Sequence, residues 1–334
     1  MVKVVVDAMG GDYAPKAVIE GVVCAIKKFD VFVFLVGQSD RIKEELDKYK
    51  FDSSRIEVVH ADEIVEMHES PAAAIRKKKN SSISIGVNLL KEGKADAFFS
   101  AGNTGGVVCA ATLKLGLLES IERPGIAIVM PNLKGVSLII DAGANIDPKP
   151  IHLLQYGLMG SAYFEKILGK KNPSIGLLNV GEEESKGTDF VKETYQLLEQ
   201  SPINFIGNVE GKEIFSGHCD VIVCDGFVGN VALKVSESAA EAMQTFLKRH
   251  LLSNIWGKIG LIFMIPSFKR FKKEIDYAEY GGALLLGVNG VVIIGHGRSN
   301  VKAIKNAIRV ANEEVERQVN QKILEAISLQ SVPK

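Results

Sequence analysis

Two short segments place polar side chains among glycines at spacings suited to holding an anion, and a third forms a tight loop between carboxylates. Gly102-Asn103-Thr104-Gly105-Gly106 stands between an apolar run and a helical pattern. Its backbone N–H groups and the helix N-terminus behind it form an anion cradle, to which Asn103 and Thr104 add side-chain donors. Gly295-His296-Gly297-Arg298-Ser299-Asn300 repeats the arrangement with a guanidinium and an imidazole. Asp7-Ala8-Met9-Gly10-Gly11-Asp12 sets two glycines between two carboxylates ahead of Pro15. Each segment also fits an ordinary turn that caps a helix, with Asp12 or Ser299 at the helix N-terminus. None is a Walker A loop, for no Gly-Lys-Ser/Thr follows, and none is a G-x-G-x-x-G dinucleotide loop.

Three further segments share a layout: Asp141-Ala142-Gly143-Ala144-Asn145-Ile146-Asp147, Asn179-Val180-Gly181-Glu182-Glu183 and Asp225-Gly226-Phe227-Val228-Gly229-Asn230. Each follows a strand pattern and supplies a carboxylate or amide beside a glycine. In open α/β sheets ligands bind beyond the carboxyl ends of the strands, so all of these loops are expected along one rim.

The elements that must carry them alternate. Strands are expected at 2–6, 31–36, 56–60, 95–100, 126–130, 136–140, 174–179, 219–224 and 291–294. Helices are expected from Pro15 to 28, from a Ser39 cap to 49, after the 102–106 loop to 117, after Pro150, over 189–199 and over 299–327. Continuous apolar strands between helices predict a three-layer α/β/α fold on a mainly parallel sheet, with residues 1–334 as one catalytic domain. The stretch 236–275 is too long and too apolar for a simple crossover and is expected to protrude as an amphipathic helical pair.

Composition narrows the function. Lys+Arg number 40 and Asp+Glu number 40, so no overall field draws nucleic acid. The longest uncharged windows, 97–113 and 280–297, are broken by glycines and fall short of the roughly 20 apolar residues that span a bilayer. The N-terminus reads as a strand start rather than a signal peptide. Cys24, Cys109, Cys219 and Cys224 show no C-x-x-C spacing, which predicts reduced thiols, a cytoplasmic protein and no metal or cofactor.

Two basic segments stand out. Arg76-Lys77-Lys78-Lys79-Asn80 is either a solvated face or a docking surface for an acidic partner. Residues 246–273 hold seven Lys/Arg and no Asp or Glu, with Trp256, Leu261, Ile262 and Phe263 ahead of Lys269 and Arg270. That pattern suits an anionic membrane surface, a dimer contact, or both.

The motifs resemble a known family. Val6-Asp7-Ala8-Met9-Gly10-Gly11-Asp12 with Ala14-Pro15, Lys78-Lys79-Asn80-Ser81-Ser82, Ser100-Ala101-Gly102-Asn103-Thr104-Gly105 and Asp225-Gly226-Phe227-Val228-Gly229-Asn230 are similar to the bacterial acyl-ACP:phosphate acyltransferases of the PlsX type. The likeness continues through Leu178-Asn179-Val180-Gly181, Gly207-Asn208-Val209-Glu210 and Tyr280-Gly281-Gly282-Ala283, in order along nearly the whole chain. It implies synthesis of acyl-phosphate from an acyl carrier protein thioester and inorganic phosphate, early in phospholipid synthesis. It implies a fold similar to phosphotransacetylases and the isocitrate/isopropylmalate dehydrogenases, a homodimer, peripheral membrane association and a downstream glycerol-phosphate acyltransferase. A non-catalytic, membrane-associated carrier-protein scaffold is the alternative. A nicotinamide-dependent dehydrogenase on the related fold is disfavoured by the missing fingerprint.

On this footing, Gly102, Asn103, Thr104, Gly105, Gly297 and Ser299 are expected to bind phosphate. Asn103, His296, Asp225 and Asn230 are the candidate catalytic side chains. Asp7, Gly10, Gly11, Asp12, Asp141, Asn145, Asn179 and Lys186 are expected to brace loops or orient substrate, and Arg76, Lys77, Lys78 and Lys79 to dock the carrier.

Overall fold

The computed structural model describes residues 1–253, 258, 260, 263–267, 271 and 279–328. In chain order the strands are β1 (Val2–Asp7), β2 (Val31–Gly37), β3 (Ile56–His60), β4 (Ala97–Ser100), β5 (Gly125–Asn132), β6 (Gly135–Ile140), β7 (Ile175–Leu178), β8 (Phe205–Val209), β9 (Val221–Val223), β10 (Ala283–Leu286) and β11 (Val291–Ile294). The helices are α1 (Lys16–Ile26), α2 (Ser39–Leu46), α3 (Pro71–Lys77), α4 (Ser82–Lys91), α5 (Thr104–Lys114), α6 (Pro150–Lys166), α7 (Asp189–Glu199), α8 (Glu213–Ser216), α9 (Gly226–Leu251), α10 (Val301–Glu316) and α11 (Val319–Ser328).

All the strands join one 11-stranded sheet in the order β3-β2-β1-β4-β11-β10-β5-β6-β9-β7-β8. It is buried on both faces, which is why its strands read as unbroken apolar runs. Val4 and Val6 point into a core shared with α1, α6 and α10, whereas Val5 between them packs with residues of α4 and α5.

The sheet has two parallel halves of opposite sense. β3, β2, β1, β4 and β11 run together, as do β6, β9, β7 and β8. Between them lie three antiparallel pairings, β11 with β10, β10 with β5, and β5 with β6. Three reversals invert the direction. One lateral row of register partners crosses both halves: Val6, Phe99, Ile293, Leu284, Ala127, Ile140 and Val223. Past this row the chain leaves β1, β4 and β11 on one side and β6 and β9 on the other. The expectation of a single rim is therefore corrected: the candidate loops form two groups.

Several boundaries also move. Pro15 is the N-cap of α1, so the helix begins at Lys16. Gln38, not Ser39, occupies the N-cap of α2, and the Ser39 hydroxyl pairs instead with His60 Nδ1 at 3.0 Å. The expected closing helix breaks into α10 and α11 at Gln318, whose φ of 54° leaves the helical region. The 280–297 window holds β10 as well as β11, and β8 is a strand the periodicity did not mark. The long helix α9 starts at Gly226, ten residues ahead of the expected protrusion; the partner helix expected up to 275 falls mostly outside the described residues. Among the described residues no helix is long and apolar enough to cross a membrane.

Candidate active site

The first group of loops is locked together by Asp7. Its carboxylate is buried at the end of β1, where Oδ2 accepts from Ser100 Oγ at 2.7 Å and Oδ1 from the Met9 N–H at 3.0 Å. Burial pushes this carboxyl above the usual range, against the hydrogen bonds that favour its charge. Ser100 Oγ in turn accepts from the Gly102 N–H at 3.0 Å, so one carboxylate fixes the exits of β1 and β4. Gly10 crosses this point with no room for a side chain: a Cβ there would lie 2.6 Å from Gly102 N and 2.7 Å from Asp7 Oδ2. Gly11 takes a φ of 100°, open to glycine, as the loop turns towards the third segment. There the Asp12 N–H donates to Gly297 O at 2.8 Å, and the Gly295 N–H donates to Ser100 O at 2.8 Å. The loops 7–12, 100–106 and 295–300 thus meet.

Asn103 has both ends of its amide engaged within the protein. It caps α5, with Oδ1 accepting from the Gly106 N–H at 2.8 Å. Its Nδ2 donates to the carbonyls of Glu66, Met67 and Glu69 at 3.0, 3.3 and 3.2 Å. The amide is buried. Its geometry makes it a clasp that draws the 66–69 segment over the α5 N-terminus. Thr104 and Gly105 open α5 and are half-buried beside it. Ser299 is buried, with its N–H on His296 O at 2.8 Å, and Asn300 is the residue that caps α10.

His296 leads to residues that the sequence did not single out. Its Nδ1 accepts from the Arg298 N–H at 3.1 Å, and its Nε2 lies 2.9 Å from Lys234 Nζ and 3.7 Å from Glu237 Oε2. Lys234 Nζ also pairs with Glu237 Oε2 at 3.0 Å. Burial, then the nearby Lys234 ammonium, push the imidazole below its usual pKa, which favours the neutral ring. Lys234 and Glu237 stand at i and i+3 on α9. In the sequence they look like an ordinary surface pair; only the path of α9 across the sheet brings them to His296.

The second group surrounds Asp141, which is fully buried. Oδ1 accepts from the N–H groups of Ile126, Gly143 and Ala144 at 2.9, 3.1 and 2.9 Å, and Oδ2 from that of Asn145 at 2.7 Å. Asn145 Nδ2 donates to Pro124 O at 2.6 Å and lies 2.7 Å from the Tyr156 hydroxyl. Asp225 caps α9, accepting at Oδ1 from Phe227 and Val228 N–H groups, both at 2.9 Å. The Gly226 N–H then donates to Asn145 O at 2.8 Å, and a Cβ on Gly229 would overlap the Asp141 carbonyl oxygen. These contacts fix the direction of α9. Along its exposed side runs an open groove of about 540 Å³ lined by Asn230, Val231, Lys234, Val235, Ser238 and Ala239. Asn230 is exposed at one end of it, next to Gly143.

Other expected residues sit on neighbouring segments. Asn179 Nδ2 donates to Lys186 O at 3.1 Å, which closes their own loop after β7 and leaves the Lys186 side chain exposed. Arg76, Lys77 and Lys79 are exposed at the end of α3. Lys78 turns inward, with its ammonium on Glu69 Oε2 and Ile64 O, each at 2.6 Å, and so braces the segment that Asn103 clasps. Phe263 is exposed, whereas Trp256, Leu261, Ile262, Lys269 and Arg270 lie outside the described residues.

Solved structures share this architecture at low sequence identity. A phosphotransacetylase from Staphylococcus aureus superposes with a TM-score of 0.60 at 16% identity, covering 94% of each chain. A 4-hydroxythreonine-4-phosphate dehydrogenase from Klebsiella pneumoniae gives 0.55 at 13% identity, over 94% of this chain and 99% of that one. Curated relatives are far closer in sequence. A phosphate acyltransferase from Dictyoglomus turgidum is 51% identical over 328 residues, 98% of either chain. Another from Desulfitobacterium hafniense is 52% identical over 315 residues, 94% of either chain. The family model described as "Fatty acid synthesis protein" matches residues 2–322. The chain belongs to the fatty acid synthesis protein family.

Proposed function

We propose that the chain is a phosphate acyltransferase that moves an acyl group from an acyl carrier protein thioester onto inorganic phosphate, in the synthesis of fatty acids and phospholipids. The observation that carries this reading is the meeting of the 7–12, 100–106 and 295–300 loops, held by Asp7 and by the Asp12–Gly297 hydrogen bond of 2.8 Å. Lys234 of α9 reaches the third of these loops, 2.9 Å from His296 Nε2.

The chemistry asks for little beyond positioning. A phosphate oxygen attacks the thioester carbonyl carbon; the C–S bond then breaks, and its electron pair leaves on sulfur as a thiolate. A thiol with a pKa of about 8.5 leaves without a strong acid. Holding two reactants in attack geometry contributes about 7–11 kcal/mol in favourable cases, and an oxyanion donor about 3–4 kcal/mol. Covalent transfer through cysteine fits poorly. Burial pushes the Cys219 thiol up to about 12, and raises those of Cys224 and Cys109 as well.

Arg76, Lys77 and Lys79 form the surface that meets the acidic carrier. Exposed Met243 and Phe246, farther along α9 than the groove, support a homodimer. Exposed Phe263, Met264 and Ile265 support contact with an anionic membrane surface on the cytoplasmic side, where the product passes to a glycerol-phosphate acyltransferase. The non-catalytic scaffold would bind carrier and vesicles without consuming thioester.

The test is to incubate the protein with an acyl carrier protein thioester, with and without phosphate, and to trap acyl-phosphate with hydroxylamine. Hydroxamate that forms faster with phosphate than without it, at a carrier KM that rises with ionic strength, is the expected result. Thioester that persists in the presence of phosphate contradicts the reading.

A further inference from the structure

We infer that Met67 is the side chain that meets the acyl group of the thioester, and that Asn103 is the positioning residue that holds it there. The inference deepens the phosphate acyltransferase reading and rests on it.

Met67 belongs to a short turn between β3 and α3. The turn closes on itself, with the Glu69 N–H on Glu66 O at 3.2 Å and the Glu66 N–H on Glu69 Oε2 at 2.8 Å. It is then tied down from two sides. Asn103, at the start of α5, donates from Nδ2 to the carbonyls of Glu66, Met67 and Glu69. Lys78 reaches back from the end of α3 and sets its ammonium on Glu69 Oε2 and Ile64 O. The flanks of the turn press on the first residues of α5. A Cβ on Gly105 would lie 2.5 Å from Pro71 Cγ, and one on Gly106 would lie 3.5 Å from Val65 Cγ1.

The Glu66, Met67 and Glu69 carbonyls and the Glu69 carboxylate are thus held from within, while the Met67 side chain faces outward. It is 53% exposed, and its Cε lies 3.5 Å from the position of a Cβ on Gly297. Gly297 O receives the Asp12 N–H, so Met67 stands at the edge of the place where the three loops meet. A lone exposed methionine on a surface needs no explanation. This one has its backbone captured by a buried amide of the second loop and its tip against a glycine of the third.

The chemistry of the tip selects the occupant. A thioether offers no hydrogen to an anion, so phosphate gains nothing from it. A flexible, polarizable side chain suits an apolar chain that must bend as it enters. The proposed carrier surface adjoins the same turn. Arg76, Lys77 and Lys79 are exposed at the end of α3, and their neighbour Lys78 touches Glu69. A carrier seated on those charges would deliver its thioester across Met67 to the loops.

The test compares a long-chain acyl thioester of the carrier with an acetyl thioester. Met67→Ser is expected to raise KM for the long-chain thioester about tenfold, the range for losing the burial of one apolar side chain. KM for the acetyl thioester and for phosphate should stay unchanged, and Met67→Leu should stay close to the parent protein. Asn103→Ser keeps a helix cap but removes the Nδ2 donor, and it should lose the same long-chain preference. Calorimetric titration with the long-chain carrier thioester, without phosphate, should show the same weakening in Met67→Ser. An unchanged long-chain KM in Met67→Ser, or equal rises for both thioesters, overturns the inference. A parental chain preference in Asn103→Ser overturns its positioning role. The two readings fail separately. A parent protein that binds the long-chain thioester through Met67 yet makes no acyl-phosphate loses the proposed function only. An active parent whose Met67→Ser variant keeps its long-chain KM loses this inference only.

Discussion

Gly10→Ala is expected to lower kcat/KM by about 100-fold while leaving the chain folded. The methyl group would lie 2.6 Å from Gly102 N and 2.7 Å from Asp7 Oδ2. The first neighbour is backbone and cannot swing aside. The second is a carboxylate already committed to Ser100 Oγ and the Met9 N–H. The 7–12 and 100–106 loops must therefore part. Overpacking of this kind costs about 1–3 kcal/mol, which a domain of this size withstands. Catalysis by positioning is less forgiving, since a displacement of about 1 Å can cost about two orders of magnitude. Steady-state kinetics beside a thermal melt separate the two effects. Wild-type kcat/KM in this variant would mean that the meeting of these loops has no part in catalysis.

Glu314→Gln is expected to stabilise the protein above pH 8 and to leave it nearly unchanged at pH 5. Glu314 of α10 is 2% exposed and accepts from the Tyr163 hydroxyl at 2.8 Å. Burial raises its pKa from 4.5 to about 8, with the neighbouring Glu313 adding to the shift. In the unfolded chain the group titrates at its ordinary value. Between pH 4.5 and about 8 the folded state therefore holds more protons than the unfolded state, and stability falls as pH rises through that window. Above it, the charged form weakens the fold by about 3–5 kcal/mol, from a shift of this size. Glutamine keeps an oxygen for Tyr163 and removes the titration. Denaturant unfolding at pH 5 and pH 8.5 measures the difference. Parallel stability curves for the two proteins across this range would contradict the assignment.

Much of the fold was legible because a sheet buried on both faces writes itself into continuous apolar runs such as 2–6 and 31–36. The strands that escaped notice lack that signature. β8 contains a glycine and an asparagine, and β10 follows two glycines that break its pattern. The two-group arrangement of the loops was not legible at all. It depends on three antiparallel pairings in the middle of the sheet, and pairing partners leave no mark in the local sequence. The same limit explains Asn103. Its type and position announced a polar role at a helix start, and it has one. That its Nδ2 is taken by three carbonyls depends on a segment some 35 residues earlier folding back over it. Lys234 and Glu237 were hidden for the opposite reason. Their i, i+3 spacing on an amphipathic helix is what any solvated surface would show, and only the anchoring of α9 by Asp141 and Asp225 gives them a second neighbour in His296.

The most direct measurement for the account as a whole is a crystal of the protein soaked in phosphate. The account predicts phosphate density where the 7–12, 100–106 and 295–300 loops meet. Phosphate bound only among Asp141, Asn145 and Asn179, on the other side of the strand row, would contradict it.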